Sequence, residues 1–183
     1  MKIAQKLIES LLFLEDEEPD ILKRHGINLS DYKTNLHPDV LKTLFIGANR
    51  PDKKWEKTIV AGHHEQLKNS IPMEFGRNAG AGKLGDCSKN AYKHGKEHGL
   101  NLVKGHILIS NNDESMKHEG KTIHPLRAVH HVWNVDKDNK VVEPTDIGNP
   151  HHVEYRAVGK PLDINHVKSH EEVADWFSSG KEE

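Results

Sequence analysis

Residues 76–85 read GRNAGAGKLG and run directly into Asp86 and Cys87. Glycine at 76, 80, 82 and 85 leaves little side chain to fill a core, so the spacing predicts a loop whose backbone comes close to another part of the molecule. The segment also divides the chain into a region with helical patterning and a region with strand patterning.

On the N-terminal side, Ile3, Leu7, Leu11 and Leu14, with Ile8 and Leu12 beside them, repeat at helical spacing until the acidic stretch 15–18 and Pro19 stop the run. Residues 20–24 before Gly26 and 38–46 before Gly47 predict two further helices, the second with Pro38 in its tolerated first turn. Residues 1–70 are therefore expected to be mostly helical. On the other side, residues 102–110, 129–135 and 141–143 have strand character, with Asp138-Asn139 as turn residues and 153–158 as a further strand. Ser169 and an acidic first turn open a closing helix over 169–178. Helices first and strands later predict an α+β fold: a helical N-terminal part and a helix beginning at Cys87, packed on a small antiparallel sheet. With 34% hydrophobic and 30% charged residues, the 183-residue chain can bury one modest core and is read as a single domain.

Charge narrows the partners. Lys and Arg total 26 against 28 Asp and Glu, a net charge of -2, and no long basic run is present to follow a phosphate backbone, so nucleic acid is not expected. The opening MKIAQKLIES alternates charged and apolar residues and lacks a continuous apolar core, so neither export nor membrane insertion is expected and the cytoplasm is the expected location. A lone cysteine cannot form an internal disulfide, and a reducing compartment suits it. The 15 histidines raise a metal-binding reading, with His94 and His98 at i and i+4 and the pairs His63-His64, His130-His131 and His151-His152. Adjacent histidines point apart, and neither H-E-x-x-H nor paired cysteines occur, so no metal and no cofactor is expected. Gly82-Lys83 fails as the end of a phosphate-binding G-x-x-x-x-G-K-[ST] loop, because Arg77 and Leu84 occupy two of its defining positions.

The chemistry centres on Cys87. Asp86 is positioned as the N-cap of a helix that ends at Gly99, which places Cys87 at the first helical position. Unpaired N–H groups and the helix dipole stabilise a thiolate there and can also hold an oxyanion. Ala91, Tyr92 and Gly95 form a packing face, with Gly95 allowing close approach. On the strand 129–135, alternation puts His131 on one face with Val129, Trp133 and Val135, and His130, Val132 and Asn134 on the other. Two registers are open for the returning strand: one brings Glu143 diagonally to His131, and a tight turn brings Asp146 instead. Glu143 is preferred.

A Gly85-x-Cys87 helix start, then His131-x-Trp133 on a strand, then Glu143-Pro144-Thr145 after a hairpin, resembles the transglutaminase-like branch of the papain-like superfamily over residues 76–160. The sequence departs from that family's pattern in having Glu143 for the usual Asp and Val132 for the small residue between His and Trp. The resemblance implies a papain-like or transglutaminase-like core and a hydrolase or acyl transferase acting through an acyl-enzyme on Cys87. His131 would be the general base and acid, Glu143 or alternatively Asp146 the orienting acid, and Gly85, Asp86 and Trp133 would contact substrate. Peptides, proteins or small amides are the implied substrates, with specificity in the glycine-rich loop and the polar stretch 111–125; Gln66 and Asn78 are weak candidates for a second oxyanion donor. The alternatives are an inactive relative serving as a binding or inhibitory module and a His-rich metal-binding protein.

Overall fold

The computed structural model describes residues 20–48, 53–110 and 115–179, so the helix expected from Ile3 to Leu14 lies outside the described residues. Helix α1 (Ile21–Arg24) starts where the Asp20 carboxylate accepts the Leu22 N–H at 3.0 Å, the local bond that an N-cap Asp supplies. Helix α2 (Pro38–Ala48) buries Leu41, Leu44 and Phe45. Helix α3 (Lys53–Lys68), which sequence patterning did not single out, adds Val60 and Leu67 to the same cluster. Each fully buried Leu or Phe contributes about 1.5–3 kcal/mol relative to exposure, so this cluster docks the helices onto the sheet through Leu108 and Leu126.

The strands are β1 (Ile71–Met73), β2 (Phe75–Gly82), β3 (Asn101–Ser110), β6 (Arg127–Val135), β7 (Val141–Thr145) and β8 (His152–Ala157). They form a curled six-stranded sheet in the order β1-β8-β3-β6-β7-β2. A separate hairpin, β4 (Met116–His118) with β5 (Lys121–Ile123), occupies a portion of the stretch 111–125. Two expectations are corrected. The sheet is mixed, because β2 runs parallel to β7 while the other pairs are antiparallel. The glycine-rich segment is mostly strand β2, since backbone pairing to β7 supplies what its side chains cannot. The expected close approach does occur there: a Cβ at Gly76 would lie 2.9 Å from the Val141 carbonyl oxygen, and one at Gly80 would lie 2.8 Å from that of Thr145.

Only Glu74 separates β1 from β2, yet the two lie at opposite ends of the sheet order. Met73 pairs with Tyr155 on β8, and Phe75 pairs with Val141 on β7. A single bent run of chain thus serves both edges, and the sheet curls until the Phe75 and Tyr155 rings stack with centroids 5.8 Å apart. The inner face holds Val103, Ile107, Trp133, Val135, Val141 and Tyr155.

On the outer face, α4 (Cys87–His98) and α5 (His170–Ser178) cover Leu102 and Val132 with Ala91 and Val173. Strand β6 accordingly splits as alternation requires, with Trp133 and Val135 inward and Val132 outward. Arg156, 1% exposed, ties β8 to the helical region by donating to the Ser70 side chain and to the carbonyls of Leu67, Ser70 and Lys33. Its charge is met by Glu154 at 2.6 Å.

Candidate active site

Helix α4 begins at Cys87 because the chain turns sharply just before it, with Gly85 at φ +93°. Asp86 occupies the N-cap position, but its side chain makes no capping bond, which corrects the expected cap. The Asp86 carbonyl instead accepts the Asn90 N–H at 2.9 Å. The Asn90 side chain fixes the turn, donating to the Lys83 carbonyl at 2.9 Å and to Thr145 Oγ1 at 3.1 Å. At the far end Gly99 adopts φ +65° and closes the helix. A Cβ on Gly95 would stand 2.8 Å from the Asn134 side chain and from the Leu100 carbonyl oxygen, so glycine is needed for α4 to sit this close to β6.

The partly buried Cys87 thiol lies beside His131, and the imidazole and the backbone N–H groups of Val132 and Ser88 act on it. The β6–β7 ladder stops at Asn134–Val142, and Val132, whose N–H helps lower the thiol, lies beyond that point, where β7 no longer pairs with β6. Burial alone pushes the thiol up, but the hydrogen bond and positive charge of His131, with the two N–H donors, hold it below the ordinary thiol value. The Cys87 backbone N–H has no hydrogen-bond partner among the described residues, as expected of a first-turn donor.

His131 is 5% exposed and bonds through Nε2 to Glu143 Oε2 at 2.8 Å. Burial pushes the imidazole down, yet the bonds to Cys87 and Glu143 and their charges raise it to about 9. Glu143 is wholly buried. Its Oε1 accepts the Thr145 N–H at 2.7 Å, and its Oε2 also accepts the Tyr155 hydroxyl at 2.9 Å. Val135 pairs with Val141, the register that favours Glu143. Asp146 is exposed and caps its own turn by accepting the Gly148 N–H at 2.9 Å, so it does not orient the imidazole.

Gly85 and Asp86 lie exposed just before Cys87. Trp133 corrects the expectation of substrate contact. It is 0% exposed, stacks on His131 with centroids 6.2 Å apart and meets Tyr155 edge to face, so it supports the imidazole from inside the curl. Gln66 Oε1 pairs with His63 and Asn78 Oδ1 with the Gly80 N–H, and neither residue is among the groups that act on the thiol. His130, the neighbour of His131, is exposed and packs edge-on against His106, 4.4 Å between centroids. His94–His98 and His124–His151 are likewise ring pairs, and no group of three or more metal-ligand side chains converges among the described residues.

Two supporting residues are not visible to sequence reasoning. Tyr155 lies in the expected strand 153–158, but nothing local says that its ring reaches a carboxylate on a strand far across the sheet. Asn90 is an ordinary polar position on a helix until Thr145 is placed beside it.

No family model matches the chain, and comparison with curated proteins and with solved structures likewise found no match. No helix among the described residues is long and apolar enough to cross a membrane.

Proposed function

We propose that the protein is a cysteine-dependent hydrolase or acyl transferase acting on amide, peptide or thioester bonds, on a core of the transglutaminase-like or papain-like type. The observation that carries this reading is the chain of contacts from the Cys87 thiol to His131 and from His131 Nε2 to buried Glu143. A thiol lowered beside an imidazole raised is the charge arrangement of an activated nucleophile.

In this mechanism the Cys87 thiolate attacks the carbonyl carbon, forming a C–S bond and placing negative charge on the carbonyl oxygen. The Cys87 backbone N–H, unpaired among the described residues, receives that charge. Collapse breaks the bond to the leaving nitrogen or sulfur, which takes the proton from His131. Water or an amine then loses a proton to His131, adds to the acyl carbon and releases the Cys87 thiolate. Glu143 keeps the imidazole in the tautomer and orientation that both transfers need. Exposed Gly85 and Asp86 are at hand to contact a substrate, a peptide, protein or small amide.

The test offers simple acyl thioesters to the intact protein and follows its mass. Acylation confined to Cys87, absent in Cys87→Ser and lost in His131→Ala, is the expected outcome. Acylation unaffected by His131→Ala would overturn the assignment.

A further inference from the structure

We infer that Tyr155 is a positioning residue of this site, its hydroxyl fixing the Glu143 carboxylate in the orientation that holds His131. The inference rests on the functional reading above and adds a fourth side chain to it. Tyr155 Oη donates to Glu143 Oε2 at 2.9 Å, and His131 Nε2 meets the same oxygen at 2.8 Å. Two donors thus occupy one oxygen while Oε1 holds the Thr145 N–H at 2.7 Å. A carboxylate held at three points cannot turn about its last bond without breaking a bond in a place closed to solvent, since Glu143 is 0% exposed.

The tyrosine is itself held. It is 1% exposed, stacked on Phe75 and set edge-on to Trp133, so its hydroxyl is delivered by a rigid ring. Along the sheet β8 and β7 are separated by β3 and β6, and only the curl brings Oη within reach of Glu143. Glu143 is the acceptor of this hydroxyl among the described residues. Burial and the adjacent carboxylate push the phenol well above its ordinary value, so it remains a donor wherever the protein is folded. The titratable groups in the chain of contacts are Tyr155 and His131 at Glu143, and Cys87 beyond His131.

Removing the hydroxyl leaves a buried lone pair of Glu143 without a donor, and the carboxylate either turns from His131 or holds its charge less well. Either way His131 keeps its proton less tightly. The experiment follows the imidazole resonances of His131 by NMR across pH in full-length protein, in wild type, Tyr155→Phe, Glu143→Gln and the double variant, with Cys87 alkylation by iodoacetamide measured in parallel. Tyr155→Phe preserves the ring and its packing. The expected result is a His131 midpoint lowered by about one pH unit, a tenfold change in proton affinity, with no further shift when Tyr155→Phe is added to Glu143→Gln. A wild-type midpoint in Tyr155→Phe, or an equal shift in the Glu143→Gln background, would overturn the assignment. An ordinary alkylation profile for wild-type Cys87 would reject the nucleophile reading, whereas the His131 midpoints would still decide the role of Tyr155.

Discussion

His131 and Glu143 meet at 2.8 Å from strands whose pairing stops at Asn134 and Val142, three residues short of the histidine and one short of the glutamate. The divergence of β6 and β7 gives the histidine a carboxylate on one side and leaves the Val132 N–H for the Cys87 sulfur on the other.

This geometry separates the two acids proposed from sequence. Glu143→Gln removes the charge that supports the imidazolium, and we expect Cys87 alkylation near pH 6 to fall by about tenfold or more, the equivalent of one pKa unit, about 1.4 kcal/mol. Asp146→Asn alters only an exposed turn and should leave the rate unchanged. Equal effects of the two variants would mean that the buried contact is not what holds His131.

The pH dependence follows from the signs of the shifts. Cys87 is lowered and His131 is raised to about 9, so the thiolate–imidazolium pair should exist from the depressed thiol value up to about pH 9. Alkylation should rise early, run level, and change again near pH 9 as His131 loses its proton. His131→Ala removes both the hydrogen bond and the charge that lower the thiol, leaves burial to push it up, and should move the curve to a single step at higher pH. A wild-type curve with one step at the free-cysteine value of about 8.5 would exclude the pair.

Arg156 offers a stability prediction independent of the site. Arg156→Ala leaves Glu154 buried at 3% exposure without its cation and strips donors from the carbonyls of Lys33, Leu67 and Ser70. Removing one partner of a buried pair typically costs about 3–5 kcal/mol, which urea unfolding would show as a large drop in midpoint. A change of less than about 1 kcal/mol would contradict the role assigned to this residue, since that is the scale of an exposed ion pair.

Gly82 tests the turn that presents Cys87. A Cβ there would lie 2.3 to 2.6 Å from the atoms of the Asn90 carboxamide. Gly82→Ala should therefore push Asn90 off the Lys83 carbonyl and Thr145, costing about 1–3 kcal/mol as overpacking does and slowing Cys87 alkylation. Asn90→Ala should reproduce the slower alkylation without the steric strain. Normal alkylation in both variants would show that the turn holds without Asn90.

The features legible in the sequence are those written locally. The alternation of residues 129–135 separates Trp133 from Val132 without any knowledge of the sheet, and Ser169 with its acidic followers marks the start of α5. The glycine-rich segment reads as a loop although it is a strand. Its glycines do carry a packing message, close approach, but the partner is the parallel strand β7, far along the chain, and parallel pairing leaves no short-range trace. Tyr155 is silent for the same reason: its role depends on curvature, which is a property of the whole sheet. Asp86 shows the opposite failure, a correct position for a cap whose side chain does not use it.

The bent run from Ile71 to Gly82 has one more consequence. Because it lies along β8 with one half and along β7 with the other, it acts as a clasp, and its release would open both seams at once. The exposed, glycine-rich half offers few side-chain contacts to resist that release. Amide exchange should thus reveal a partial opening in which β2 detaches and Cys87, which follows shortly after its end, leaves His131 in the same event. Access to the interior of the curl and separation of Cys87 from His131 would then be two views of one motion.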